Sequence, residues 1–468
     1  MLLPLHYFFL MMIAGVALVL FFPLWWVVIF DLSLVTLFGN WSIGFLRIGP
    51  NDLPLLFLAA ALLLRGRRQG GGGQTLPFLV PWLVLTACFC LSYYLAPVNQ
   101  RNLDAPLRIV YQLLRYGVRP VIYLPIILLL IRSPKRAYIL QYTIVLAAVQ
   151  CSLMAIQQGY AGYEAASGPF RTGNQLGGVL VMPMMMATAG SLLPRNRTHW
   201  IFSAVSLLLM ARAMLFCGSR GAMVALTAGL LFFFATLLTA HVGRRRLRYL
   251  SPLILMGFVA SLPLIPFILS RPTIQHALTA ADGSKASTMQ WRMQERWPHF
   301  WNLAVENPWF GLGSAVDTSL GRTANTPHNG FLSILVIYGF PAFLLILFFA
   351  FRAMWNGLRL YWHADHPDHK LYGITSTAAL GGILAHQMVE VTITAPFTFK
   401  VFWILVATTE LARRWYNDDE EADVGSRNRA GPGEDPLWEP LPSVFEPIPA
   451  TPSPQPARPA AQGAGGMG

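Results

Sequence analysis

Four clusters in this sequence have the residue types and spacing to do chemistry, and each falls where an apolar run meets polar residues. Gly218-Ser219-Arg220-Gly221 joins two apolar runs with almost no loop. Its small residues let a ligand approach the backbone, and Arg220 on so tight a turn is either a fixed cation for an anionic headgroup or a snorkelling anchor. Trp291 to Trp301 carries aromatics at 291, 297, 300 and 301, with Arg292 and Arg296 four apart. That pattern predicts an amphipathic helix on the membrane surface, with Arg292 a phosphate ligand or one more interfacial anchor. Thr326-Pro327-His328-Asn329-Gly330 closes a long polar insertion. Proline biases the residue before it away from helix, and Asn-Gly tolerates turns, so His328 and Asn329 sit at the mouth of the next apolar run. Imidazole exchanges a proton near neutral pH, though a lone histidine there also serves as structure. Finally, His386 and Glu390 share an i,i+4 spacing that predicts one helical face. A carboxylate at that depth is costly unless it pairs or works, and a structural pair and a catalytic role both fit.

An arginine stripe supports these clusters. Arg108, Arg115 and Arg119 stand seven and four apart, which predicts one face of a span, and three cations are too costly to point at lipid. They should line a wet, positive cavity, joined by Arg171 from the neighbouring loop. The planar guanidinium fork donates two parallel hydrogen bonds to phosphate and keeps its charge at physiological pH. Such a site wants a polyanion. No DxD on the polar side, HExxH, GxSxG or P-loop is present, and no Cys or His cluster has metal-ligand spacing. The acids of the long insertion (Asp282, Glu295, Glu306, Asp317) are scattered singly. No metal, cofactor or ATP chemistry is expected.

The elements that must position these residues are membrane spans. Of 468 residues 55% are hydrophobic and 12% charged, and the apolar runs are long and continuous, unlike the alternation of an outer-membrane barrel. The chain reads as an all-α polytopic integral membrane protein with about 12 transmembrane helices and one long loop. Spans are expected near 6–30, 51–65, 76–95, 107–131, 137–157, 175–193, 200–217, 221–240, 250–269, 328–351, 372–390 and 396–412, with Pro23 able to split the first. No cleavable leader is expected, and the first segment reads as a retained span. Cys88, Cys90, Cys151 and Cys217 lie in apolar runs and read as buried thiols.

Basic clusters at Arg65 to Arg68, Arg132 to Arg136, Arg195 to Arg197, Arg244 to Arg246 and Arg413-Arg414 fall on one side of successive spans, which makes that side cytoplasmic. The segments 96–106, 158–174, 270–327 and 391–396 then face outward, to the periplasm if the membrane is the bacterial inner one. Nine acidic and three basic side chains after Asn417 leave a tail of −6 and a body of +19, against +13 for the chain. Topology and anionic membrane lipid account for the basic body, and nucleic acid does not. Residues 1–416 are thus expected to be the catalytic membrane domain, with its periplasmic loop at about 270–327. Residues 417–468, rich in Pro and acids, should form a disordered cytoplasmic tail.

Taken together, Gly168-Pro169-Phe170, Asn174-Gln175-Leu176-Gly177, Gly218-Ser219-Arg220-Gly221, Glu306-Asn307-Pro308-Trp309-Phe310-Gly311-Leu312-Gly313, His328-Asn329-Gly330-Phe331-Leu332 and Tyr338-Gly339-Phe340 resemble the O-antigen ligase-like family. The resemblance runs from about residue 160 to 412. That family comprises lipopolysaccharide O-antigen ligases, Wzy-type polysaccharide polymerases and some protein O-glycosyltransferases. The resemblance implies transfer of a glycan from undecaprenyl pyrophosphate to an acceptor hydroxyl, a glycan or lipid A-core, on the periplasmic face. It implies roles for Arg220, Arg292 and His328. Glu390 stands where relatives often carry Asp. A chain-length regulator is a candidate partner. An exopolysaccharide or O-antigen polymerase is favoured over a ligase, because Asn-Pro-Trp-Phe-Gly followed by His-Asn-Gly looks like exopolysaccharide polymerases. Two other classes stay open. One is a transporter or flippase of an anionic lipid-linked glycan, which should show broken helices and an inverted repeat, neither evident in the sequence. The other is a scaffold in a secretion complex.

Overall fold

The computed structural model describes residues 78–95, 118, 121–163, 165–170, 172–239, 292–313, 327–364, 366–391 and 396–427, with isolated positions at 26, 28, 29 and 32. The regular elements among them are all helices. In chain order they are α1 (Leu79–Leu95), α2 (Tyr123–Leu130), α3 (Pro134–Tyr160), α4 (Gly173–Leu192), α5 (Arg197–Cys217), α6 (Arg220–Thr239), a π-turn (Arg292–Arg296), α7 (Trp297–Glu306), α8 (Gly330–His363), α9 (Pro367–Gln387) and α10 (Pro396–Arg427). Five of them, α3, α4, α5, α6 and α8, are long and apolar enough to cross a membrane. The spans expected near 51–65 and 250–269, and nearly all of 6–30, lie outside the described residues, as do Arg108, Arg115, Arg119 and Arg171. So does the long loop except 292–313 and Pro327, and the tail after Arg427.

Helix α9 fails the apolarity expected of a span because it is wrapped in protein rather than lipid. It packs against α8, α6, α4 and α10, and Thr375, Ser376 and Thr377 are buried in it. Close approach is made by glycine. A Cβ on Gly373 would collide with the Gly357 carbonyl of α8, and one on Gly229 of α6 would stand 3.2 Å from the Gly382 Cα. Without a hydrophobic drive between helices in lipid, such small-residue contacts and buried polar groups hold the bundle.

Helix α8 is broken, a feature not evident in the sequence. Gly339 takes φ 80° and ψ 175°, and Pro341, two residues on, has no N–H to offer the Ile337 carbonyl. Backbone groups freed in a membrane cost several kcal/mol each unless satisfied. Here the Asn307–Gly313 segment satisfies them. Leu312 N donates to Val336 O at 2.7 Å, Gly313 N donates to Ile337 O at 2.9 Å, and Phe340 N donates to Pro308 O at 2.8 Å. The Ser92 hydroxyl of α1 also donates to Ile337 O. Gly311 and Gly339 both have positive φ, and a Cβ on Gly311 would stand 2.6 Å from the Val336 carbonyl oxygen, while one on Gly339 would meet the Trp309 backbone. Only glycine fits either position. The loop motif and the Tyr338-Gly339-Phe340 motif are therefore one structural joint.

The segment expected to be one surface helix instead begins as a π-turn over Arg292–Arg296 and becomes α-helical at Trp297. Pro298 cannot donate to residue 294, so a regular α-helical ladder cannot run through it. Phe300 and Ala304 of α7 pack on Leu335 and Val336 of α8, while Trp301, Val305 and Met293 stay exposed. At the other terminus α10 continues to Arg427, past Asn417, because no glycine interrupts it before Gly425 and no proline before Pro432.

Candidate functional site

Three helix N-termini meet at one end of the bundle, and each is built by a short local signal. Thr172 caps α4, its Oγ1 accepting from Gln175 N at 3.2 Å. Gly218, at φ 62°, ends α5 in the left-handed region. Ser219 then accepts from Ala222 N at 3.3 Å, and Arg220 opens α6. Asn329 caps α8, its Oδ1 accepting from Phe331 N and Leu332 N at 3.0 and 3.1 Å. Asn329, expected to bind substrate, thus spends its side-chain oxygen on the helix. Gly177 lets α4 lie directly on the second turn, since a Cβ there would stand 2.8 Å from Ser219 Cβ. A Cβ on Gly221 would meet Val389 Cγ2 at 3.1 Å and Glu390 Cβ at 3.9 Å.

Glu390 is the hub. Its Oε1 lies 3.1 Å from His328 Nδ1, its Oε2 accepts from Asn174 Nδ2 at 3.0 Å, and its own neighbour Val391 N donates to Oε1 at 3.3 Å. Burial pushes the Glu390 carboxyl up, but the hydrogen bond and charge of His328, the Val391 amide and the Arg292 guanidinium outweigh it, and the carboxyl lies below its ordinary value. An ionised carboxylate only accepts hydrogen bonds. His328 Nδ1 therefore carries a proton in this contact, and when the imidazole is neutral Nε2 is the acceptor nitrogen.

His328 itself is held in an uncommon backbone conformation, φ 47°. A non-glycine residue there costs roughly 1–2 kcal/mol and persists only where its surroundings over-determine it. They do so here on both sides. Trp297 Nε1 donates to the Pro327 carbonyl at 3.0 Å, the Asn329 cap fixes the following turn, and Glu390 holds the ring. Gly330 admits the Gln387 side chain, which a Cβ would strike.

The arginines divide. Arg220 is exposed at the start of α6 and has no hydrogen-bond or ion-pair partner among the described residues. A cation at a helix N-terminus opposes the helix dipole, so it concentrates positive potential rather than stabilising the helix. Arg292 is half-buried with its Nε unpartnered among the described residues, and its charge reaches both Glu390 and Arg296. Burial and then the Arg292 charge hold Arg296 below the ordinary arginine value. Arg115, Arg119 and Arg171 lie outside the described residues.

His386 lies in the last turn of α9, which ends at Gln387, and the helical i,i+4 backbone bond still joins it to Glu390. His386 is fully buried, and its carbonyl accepts from Val389 N and Glu390 N at 3.1 and 3.0 Å, closing the turn that presents Glu390. It shapes the site from behind. Sequence reasoning gave no role to Asn174 or Trp297, although both stood inside segments it singled out. Among the described residues no group of three His, Cys, Asp or Glu is placed to hold a metal ion.

No curated protein matches the chain. Residues 205–347 match the family model described as O-antigen ligase, a stretch that contains Arg220, Arg292, His328 and the α8 joint, while Asn174 and Glu390 fall outside it. The match covers less than half of the chain and supports an O-antigen ligase-like membrane enzyme of the ligase or polymerase type.

Proposed function

We propose that this end of the bundle faces the periplasm of a bacterial inner membrane and passes a glycan from undecaprenyl pyrophosphate to an acceptor sugar hydroxyl. The observation that carries the reading is the single carboxylate of Glu390 gripping His328 beside two arginines free of carboxylate partners among the described residues. His328 Nε2 takes the proton of the acceptor hydroxyl as its oxygen bonds to the anomeric carbon. The bond from that carbon to the pyrophosphate oxygen breaks, and the lipid pyrophosphate leaves with the electron pair. Direct displacement inverts the anomeric centre. Arg220, Arg292 and the three helix N-termini supply fixed positive charge where the leaving group gathers negative charge, which is where preorganised electrostatics lower a barrier most. Glu390, with both oxygens engaged and its carboxyl held low, orients the imidazole and is too weak a base to replace it. The favoured reaction is polymerisation of an O-antigen or exopolysaccharide, with ligation to lipid A-core as the other member of the same chemistry.

Among the described residues the break in α8 is a feature a transporter would share. Its freed carbonyls are filled by loop amides rather than left for an ion, which favours the transferase. Proteoliposomes given a lipid-pyrophosphate glycan and free acceptor glycan should release undecaprenyl pyrophosphate in step with chain growth. Movement of the intact donor across the membrane without its cleavage would overturn the proposal. In cells lacking the protein, single repeat units on core mark a lost polymerase, and full-length polymer beside bare core marks a lost ligase.

A further inference from the structure

At the end of the bundle away from His328, α8 and α10 enclose a cavity of about 330 Å³ lined by Arg359, Leu360, His363, Arg413, Tyr416 and Asn417. Its depth is set by the helix. From Gly330 to Arg359 α8 rises about 44 Å at 1.5 Å per residue, slightly less through the break. A bilayer with its headgroup layers spans roughly 40–45 Å. When the His328 end lies at one headgroup layer, Arg359 and His363 lie at the other. Trp355 and Trp362, both exposed, mark the same level, their rings packed edge to face at 6.2 Å, as aromatic belts do.

Among the described residues the cations of this cavity are not spent on carboxylates. Glu410 is already held by Asn356 at 2.7 Å and Arg352 at 3.6 Å, and Asp368 by Arg195 at 2.7 Å. Arg413 donates from Nη1 to Asn356 Oδ1 at 2.8 Å, which fixes its guanidinium and leaves its other donors available. Arg359 is exposed, lies 5.5 Å over the Trp355 ring and has no acidic partner among the described residues. An apolar, exposed stripe of Leu344, Phe348, Phe351 and Trp355 runs along α8 up to Arg359, at spacings that share one face.

We propose that this cavity is a binding site for the phosphodiester headgroup of an anionic phospholipid. Arg359, His363 and Arg413 clasp the headgroup, and its acyl chain lies along the Leu344–Trp355 stripe. Arginine forks suit a phosphodiester, and basic pockets between spans are known traps for such headgroups. The site is separate from the transfer site, on the opposite face of the membrane.

The test is native mass spectrometry of the full chain in detergent with phosphatidylglycerol, phosphatidylethanolamine or inorganic phosphate added, for the wild type and for Arg359→Gln/His363→Gln. Both altered side chains are exposed, so the variant should fold, and unchanged melting checks that. The wild type should retain phosphatidylglycerol over phosphatidylethanolamine, and the variant should hold it at least about fivefold more weakly, at about 1 kcal/mol per lost cation. Equal retention by the variant, or equal retention of the zwitterionic lipid, would overturn the site. Displacement of the lipid by millimolar inorganic phosphate would show a free-anion site and overturn the lipid assignment.

Discussion

The two ends of this bundle use the same side chains in opposite ways. At the end away from His328, Arg195 binds Asp368 at 2.7 Å and stacks 4.7 Å over Tyr138, while Arg413, Asn356 and Glu410 are linked by hydrogen bonds and Arg352 joins Glu410 as an ion pair at 3.6 Å. Arg195 ties the turn before α5 to α3 and α9, and Arg352 and Arg413 tie α8 to α10. At the His328 end the single carboxylate is committed to a histidine and an asparagine, and Arg220 and Arg292 have no carboxylate bonded to them among the described residues. Paired arginines hold helices, and arginines denied a partner wait for one. Left-handed backbone at a non-glycine residue occurs at both ends, at His328 and at Phe78, whose ring lies under Arg352.

The comparison breaks most easily through the arginines. Arg220→Ala and Arg292→Ala should each lower the transfer rate about 10²- to 10³-fold, the loss typical of one oxyanion-stabilising donor. Arg195→Ala should leave the rate within about threefold and reduce only thermal stability, since half-exposed ion pairs contribute about 1 kcal/mol or less. Equal rate losses at both ends, measured on proteoliposomes with matched protein content, would remove the distinction. Asn174→Ala comes next. It frees Glu390 Oε2 and should slow transfer about tenfold, the low end for a hydrogen bond to a charged group. An effect on acceptor KM alone would make Asn174 a sugar contact instead.

The smallest effect concerns pH. The Glu390 carboxyl lies below its ordinary value, so its contribution to stability is present above the ordinary carboxylate range and lost as pH falls through the lowered value. In Asn174→Ala, which loses one hydrogen bond to the charged form, the acid limb of thermal stability should move up by a fraction of a pH unit. A limb that moves down would mean that the asparagine does not favour the carboxylate.

Much of this was legible in the sequence because hydropathy and turn signals are local. Apolar runs located α1, α3, α4, α5, α6, α8 and α10 within a few residues at most of their ends. Alternating topology alone put Arg220, His328 and Glu390 at the same side, and the structure brings the backbone around Gly221 and the His328 side chain to Glu390. What was not legible is long-range. Asn174 meets Glu390 across 216 residues, and nothing in its own neighbourhood says so. The loop amides that mend α8 read as a motif without a reason until Val336 and Ile337 were seen to need donors. The turn that joins His386 to Glu390 is legible from their i,i+4 spacing, but the full burial of His386 is not.

The central claim is that His328 moves the proton and Glu390 only aims it. Single-turnover transfer by His328→Ala and Glu390→Gln, in membranes with a lipid-pyrophosphate donor, tests it most directly. The account predicts that His328→Ala loses about 10²- to 10⁴-fold, the usual worth of a general base, while Glu390→Gln, which can still accept from Nδ1, loses clearly less. Glu390→Gln falling as far as His328→Ala or further, with His328→Ala retaining turnover, would make the carboxylate the base and contradict it.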